Sequence, residues 1–238
     1  MSHAPAAGGS EDDLGPLSPV VLDRESGAAV FLGRLPDRLR LDAEGFERLW
    51  ALHPARPHEV TMYGRRCQTP RWQQAFGADY VYSGNVARAK PTPPILRPLW
   101  RHLQDAIDPR LNGILVNWYD GALGHYMGPH RDTTDQLISG APIVTVSFGQ
   151  ERVFRLRPRR VGAPTGSSAG RDLLLSDGDV LVLPFETNRI FTHAVPRLAR
   201  HRDRRISVTL RAFRQLRVEG PVGEPGRPGP MAHARKAG

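Results

Sequence analysis

The sequence NWYDGALGHYMGPHRD, residues 117–132, decides the fold and contains the first candidate site residues. It begins inside the apolar run GILVNWY (113–119) and ends on His130 and Asp132, which are two positions apart. Alternate side chains of a β-strand lie on one face, so a strand here would bring these two side chains together. We therefore predict a β-structure in which they line a common site.

The chain beyond this stretch consists of short apolar, often β-branched runs separated by Gly, Pro and Asp. Several such runs at close spacing are typical of a β-sandwich or barrel. Helical spacing is confined to residues 42–53, with Asp42 as the N-cap, and residues 93–107. We predict a mainly β fold with an α/β N-terminal extension: a double-stranded β-helix, or jelly-roll, core with outer helices. The predicted strands are PIVTVSF (142–148), RVFRLR (152–157), DLLLS (172–176), DVLVLP (179–184), RIFTHAV (189–195) and RISVTLRAF (205–213).

The composition divides the chain into four parts. Residues 1–17 and 217–238 are rich in Gly, Pro, Ala and charge, and we expect disordered tails there. Between them we expect an N-terminal extension with helices and substrate-lid hairpins over 18–109, and the β-core over 110–216. A Gly/Ser/Pro-rich loop is expected at 158–171.

Charge and apolar patterning limit the class of protein. The 238 residues carry a formal net charge of +9, and 31 of the 33 basic residues are arginine, which suits a phosphate-bearing partner. The single cysteine excludes an internal disulfide. Because no apolar run reaches 18 residues and no basic start precedes an apolar segment, we expect no membrane span. A cytoplasmic monomer, nucleoid-associated when it acts on DNA, is the expectation.

His193, in the sequence THAVP, can complete a set of two imidazoles and one carboxylate with His130 and Asp132. That set, with open coordination positions, is the ligand set of non-haem Fe(II) oxygenases. Arg205 and Arg211 are six apart on one predicted strand, so both point to the same face and could bind a dicarboxylate. The second His-x-Asp, at 201–203 within RHRDRR, is interpreted as a solvated charge run.

Several separated segments together resemble the AlkB family of Fe(II)- and 2-oxoglutarate-dependent dioxygenases, in its nucleic-acid demethylase branch. The resemblance implies Fe(II), 2-oxoglutarate and O2 as cofactor and cosubstrates. It further implies that Asn117 and Tyr119 hydrogen-bond 2-oxoglutarate and that Arg205 and Arg211 bind its carboxylates. The segments are PRWQQAFG (70–77), YVYSG (80–84), NWY (117–119), PHRD (129–132), GAPIVTVSFG (140–149), THAVP (192–196) and RISVTLR (205–211).

The same resemblance implies a substrate: N-alkylated bases of single- or double-stranded DNA, or of RNA, demethylated with release of formaldehyde, succinate and CO2. Tyr82 would stack on the extruded base, opposite His130, and Tyr80 would offer a polar contact. Tyr63 aligns with the position where duplex-acting relatives carry an intercalating residue. Arg71 would meet phosphates.

One position departs from the family pattern. Relatives commonly carry an acidic residue two positions after the metal-binding aspartate, where this chain has Thr134, followed by Asp135. The sequence therefore leaves open which base is preferred, and whether DNA or RNA, single- or double-stranded, is bound. Two alternatives also stand: the same chemistry on a small metabolite or protein side chain, and a binding module without metal.

Overall fold

The structure is a computed structural model that describes residues 14–62, 65–82, 85–159 and 170–214. Residues 1–13 and 217–238, where we expect tails, lie outside the described part, as do most residues of the 158–171 loop. Leu14 and Leu17 pack against the protein body, so the packed chain begins before the expected boundary at residue 18.

Fifteen strands and three α-helices are described in these ranges. The first seven strands are β1 (Ser18–Asp23), β2 (Ala28–Arg34), β3 (Glu59–Met62), β4 (Arg65–Gln68), β5 (Trp72–Phe76), β6 (Tyr80–Tyr82) and β7 (Asn85–Ala87). The other eight are β8 (Gly113–Asp120), β9 (Met127–His130), β10 (Ile143–Gly149), β11 (Arg152–Pro158), β12 (Arg171–Leu175), β13 (Asp179–Leu183), β14 (Phe191–Val195) and β15 (Arg204–Arg211). The helices are α1 (Ala43–Trp50), α2 (Arg97–Ala106) and α3 (Phe185–Ile190), with 3₁₀ turns at Asp37–Leu39 and Pro94–Leu96.

Two antiparallel sheets form the body of the molecule. The larger has seven strands in the order β1-β2-β13-β10-β15-β8-β5, and the smaller has four in the order β12-β11-β14-β9. Two hairpins, β3–β4 and β6–β7, stand outside both sheets. The predicted mainly β, jelly-roll architecture with few helices is confirmed.

The two faces of the large sheet are buried against different partners. One face shares a core with the small sheet, in which Leu115 and Leu181 meet Phe154 and Leu156. The other face packs under the helices, with Leu49 of α1 and Leu103 of α2. Burial on both faces explains why strands such as β8 and β10 read as almost continuous apolar runs rather than as alternating ones.

The helices agree with the sequence pattern except at one end. Asp42 caps α1 by accepting a hydrogen bond from the Gly45 N–H at 2.7 Å. Leu49 is fully buried, but α1 ends at Trp50 and Leu52 is exposed, so the helix predicted over residues 42–53 was wrong in its last three residues. The segment 93–107 forms a 3₁₀ turn followed by α2, as its leading prolines favour.

The predicted strand RIFTHAV was wrong at its first two residues. Arg189 and Ile190 belong to α3, a short helix that follows Pro184, and β14 starts only at Phe191. Ile190 is exposed, so its apolar character gave a false strand signal. This helix stands immediately before the strand that carries His193.

The expected N-terminal extension contributes strands to the large sheet. Its strands β1 and β2 extend the large sheet beyond β13, and β5 extends it at the opposite edge next to β8. Of the described helices, none is long and apolar enough to cross a membrane.

Candidate active site

The three predicted metal ligands meet at one end of the small sheet. Strands β9 and β14 pair so that His130 lies directly opposite His193, with ring centroids 4.3 Å apart. One ligand atom from each of His130, Asp132 and His193 can be chosen so that all lie within 4.8 Å of one another. The structure therefore brings the three together, although β9 ends at His130 and Asp132 sits in the following loop rather than on the strand.

The surroundings of His130 and His193 favour neutral imidazoles, the form that binds a metal ion. The Nδ1 of His130 lies 3.0 Å from the Gly128 carbonyl oxygen, which can only accept, so Nδ1 carries the proton and Nε2 keeps a lone pair. Burial, reinforced by the neighbouring His130, lowers the pKa of His193 to about 3. Its Nδ1 is buried without a partner among the described residues. A neutral pair of imidazoles beside a carboxylate fits Fe(II).

Asp132 is held from two further elements. Arg211 of β15 donates from Nε to the carboxylate oxygen Oδ2 at 2.8 Å, and its Nη2 forms an ion pair with the same oxygen at 2.7 Å. The Tyr80 hydroxyl donates to Oδ1 at 3.3 Å, and the Arg211 guanidinium lies over the Tyr80 ring. Burial alone would raise the pKa of Asp132, but the adjacent Arg211 cation holds it well below its usual value.

Arg205 lies on the same face of β15 as Arg211 and is almost fully buried. It donates from Nη2 to the Ser147 hydroxyl at 2.7 Å, and its guanidinium lies over the Tyr119 ring. Its Nε and Nη1 have no partner among the described residues. Burial lowers the pKa of Arg205 to about 10, so it stays a cation at neutral pH and retains donors for an anion.

Asn117 and Tyr119 share the inward face of β8, while Val116 and Trp118 pack under the helices. This alternation is that of a regular β-strand. The Asn117 Oδ1 accepts a hydrogen bond from Arg71 Nε at 2.8 Å, and the Tyr119 hydroxyl contacts the Met127 sulfur at 3.8 Å.

These residues line one cavity of about 320 Å³ between the two sheets. Its volume is in the range of small-molecule sites. His130, Asp132, His193, Arg205 and Arg211 all line it, and Arg211 contacts Asp132 directly. The lining also includes six apolar side chains: Leu115, Ile143, Phe154, Leu181, Leu183 and Val195.

The predicted substrate residues are placed less uniformly. Tyr80 lines the cavity, but its hydroxyl contacts Asp132, and Arg71 lines the cavity while bound to Asn117. Thr134 and Asp135 lie in the loop and turn after Asp132 and, among the described residues, Thr133 lines the cavity in their place. Tyr63 and the side chain of Tyr82 lie outside the described part, so their roles stay predictions.

Two residues that contact the site were not found from the sequence. Ser147 supplies the hydroxyl that binds Arg205, and Asn188 in α3 contacts the backbone of Asp132. The alternation of Thr145 and Ser147 in PIVTVSF could have revealed the first, since polar residues at alternate positions of an apolar strand mark its cavity-facing side. Asn188 carries no such signal, because its contact depends on α3.

Comparisons with known proteins agree with this geometry. Residues 40–211 match the 2OG-Fe(II) oxygenase superfamily. The human DNA oxidative demethylase ALKBH2 is 31% identical over 157 residues, which is 64% of this chain and 60% of the relative. The rat alpha-ketoglutarate-dependent dioxygenase alkB homolog 3 is 24% identical over 184 residues, 68% of this chain and 61% of the relative. The chain thus spans about three fifths of the length of these relatives.

A solved structure of OsALKBH1 shares the fold, with a TM-score of 0.50 at 17% identity. The match covers 83% of this chain and 100% of that one.

Proposed function

The chain belongs to the 2OG-Fe(II) oxygenase superfamily, and we propose that it oxidatively demethylates N-alkylated bases of DNA. Overall, the N-methylated base, 2-oxoglutarate and O2 give the unmodified base, formaldehyde, succinate and CO2, with one oxygen atom of O2 entering succinate and the other entering formaldehyde. The observation that carries this proposal is that two histidines and an aspartate line the same cavity as Arg205, a buried arginine whose Nε and Nη1 make no hydrogen bond to the described residues.

The three ligands would hold Fe(II) on one side and leave its remaining coordination positions to the cavity. Bound Fe(II), with 2-oxoglutarate and O2, supplies the oxidising chemistry, and the protein supplies geometry and shielding. The Gly128 carbonyl fixes the tautomer of His130, and Arg211 keeps Asp132 ionised. Apolar lining residues such as Ile143, Leu181 and Leu183 would limit the water that the cavity holds.

The arginine pair supports a dicarboxylate cosubstrate. Six residues of strand separate the Cα atoms of Arg205 and Arg211 by about 20 Å, so a diacid would lie between two side chains that reach toward each other. Arg211 is committed to Asp132 and retains only Nη1, whereas Arg205 retains Nε and Nη1. We assign Arg205 to the carboxylate distant from the metal and Arg211 to the near one, with Asn117 and Tyr119 as further polar contacts.

Support for a nucleic-acid substrate comes from charge and from the relatives. The chain has a net charge of +9, and Arg71 and Arg131 line the cavity. A base must leave the stack to be modified, and cations near the cavity would hold the flanking phosphates. We propose DNA as the substrate because the human relative is named a DNA oxidative demethylase. As further parts of the proposal, we expect a monomer acting in the cytoplasm on chromosomal DNA.

The test is a panel of single- and double-stranded DNA and RNA oligonucleotides that carry one 1-methyladenine or 3-methylcytosine. The Fe(II)-loaded chain is incubated with 2-oxoglutarate in air, and oligonucleotide mass and succinate are measured. Loss of 14 mass units, about one CH2, from a DNA member with matching succinate supports the proposal. Asp132→Ala, folded but inactive, is the control. If no oligonucleotide loses mass while a metabolite extract raises succinate, hydroxylation of a small molecule replaces the proposal.

A further inference from the structure

Asn188 lies in α3, five residues before His193, and is completely buried. Its Oδ1 accepts a hydrogen bond from the backbone N–H of Asp132 at 3.0 Å, and its Nδ2 donates to the backbone carbonyl oxygen of Asp132 at 3.0 Å. We propose that Asn188 is a positioning residue that orients Asp132 toward the metal. This inference rests on the metal assignment within the proposed function.

The contact replaces a backbone pairing that the fold interrupts. Strands β9 and β14 are antiparallel with His130 opposite His193, so an uninterrupted ladder would bring Asp132 opposite Phe191. Strand β9 instead ends at His130, two residues before Asp132, and α3 ends at Ile190 immediately before β14 begins. The buried N–H and C=O of Asp132 still need partners. The carboxamide of Asn188 provides one acceptor and one donor, as a peptide group would.

This arrangement singles out the third ligand. His130 and His193 are fixed relative to each other by the pairing of their own strands. Asp132 lies beyond the end of β9, so its orientation depends on the Asn188 contact to its backbone and on the contacts to its carboxylate. Those carboxylate contacts come from Arg211 and Tyr80. Without Asn188, the Arg211 ion pair would determine where the carboxylate lies.

The neighbouring Thr187 is a matched control. It is nearly as buried as Asn188 and lies in the same helix, but its hydroxyl donates to the Ala29 carbonyl oxygen at 2.9 Å and so attaches α3 to β2. Each residue therefore attaches α3 to a neighbouring segment through the hydrogen bonds of its own side chain. Among the described hydrogen bonds of these two side chains, only those of Asn188 reach the loop that contains Asp132.

The experiment is a titration of the metal-free full chain with Co(II), followed by visible absorbance and calorimetry, alongside the melting temperature. Groups that orient a ligand typically change metal affinity about 10–100-fold when removed. We expect Asn188→Ala to weaken Co(II) binding by about 10–100-fold and to alter the absorbance of the bound ion. Thr187→Val should lower the melting temperature but leave Co(II) affinity within about twofold of the unaltered chain.

Asn188→Asp is the second variant, used if Asn188→Ala does not fold. It keeps the shape and the acceptor but replaces the donor to the Asp132 carbonyl oxygen, so we expect a similar loss of affinity. The inference is overturned if the folded Asn188 variant binds Co(II) as the unaltered chain does, or if Thr187→Val weakens binding equally. Failure of the unaltered chain to bind Co(II) would instead overturn the metal assignment, and the proposed function with it.

Discussion

Arg211 binds Asp132 through two nitrogens on one carboxylate oxygen, and both side chains are almost completely buried. The pair links β15, a central strand of the large sheet, to the loop that follows β9 of the small sheet and contains Asp132. Since one oxygen of Asp132 is occupied by the cation, Oδ1 is the oxygen that faces His130 Nε2, at 3.8 Å. The Asp132 carboxylate is thus both the anion of a buried ion pair and a candidate metal ligand.

Arg211→Met should strongly destabilise the metal-free protein, because it leaves the Asp132 charge buried without a cation. Breaking one side of such a pair typically costs about 3–5 kcal/mol. Urea unfolding in EDTA measures this cost. Adding Co(II) should recover part of it, since the ion supplies the missing positive charge. The double variant Arg211→Met/Asp132→Asn should be less destabilised in EDTA than Arg211→Met. An equal loss would contradict the charge argument.

Arg205→Met should weaken 2-oxoglutarate binding by about 10–100-fold, the equivalent of one or two charge-assisted hydrogen bonds. The Co(II)-loaded protein is titrated with 2-oxoglutarate and with 2-oxobutyrate, which lacks the distal carboxylate. The unaltered chain should prefer the diacid, and the variant should discriminate little between the two. Co(II) affinity serves as the control and should not change. A variant that still prefers the diacid would show that another group binds the distal carboxylate.

His125 predicts a pH dependence of stability. Its buried Nδ1 accepts the Asp120 backbone N–H at 3.1 Å, and burial lowers its pKa below the ordinary value of 6.5. Below pH 6.5 the unfolded chain therefore binds a proton that the folded chain does not, and stability falls as pH falls toward the folded pKa. The slope is at most about 1.4 kcal/mol per pH unit. Unfolding at pH 7.5 and 5.5 in EDTA should show a smaller difference for His125→Gln than for the unaltered chain.

Asp42→Ala should lower the free energy of unfolding by about 1 kcal/mol, the usual effect of losing an N-cap. The Asp42 carboxylate accepts the Gly45 N–H at the start of α1, on the side of the large sheet away from the cavity. Co(II) and 2-oxoglutarate affinities should be unaffected. A change in either affinity would mean that α1 is coupled to the site.

The sequence predicted the strands well where apolar runs are bounded by turns, because the large sheet is buried on both faces. It also predicted that His130, Asp132 and His193 meet, since a strand pair and a known ligand set constrain them strongly. It did not predict α3, because Ile190 is apolar yet exposed. The contacts of Arg211 and Tyr80 with Asp132 were also not predicted. Each joins two elements that are far apart in the chain, and no local sequence pattern indicates such a contact.

The pairing of β2 with β13 has a consequence for how the protein can be shortened. The region matching the superfamily starts at residue 40, after both β1 and β2. A protein beginning there would present the backbone of β13 as a bare sheet edge, with the apolar side chains of Val180, Leu181 and Val182 next to it. Such edges recruit further chains. The segment that matches the superfamily is therefore shorter than the sheet to which it belongs, because β1 and β2 cover the edge of β13.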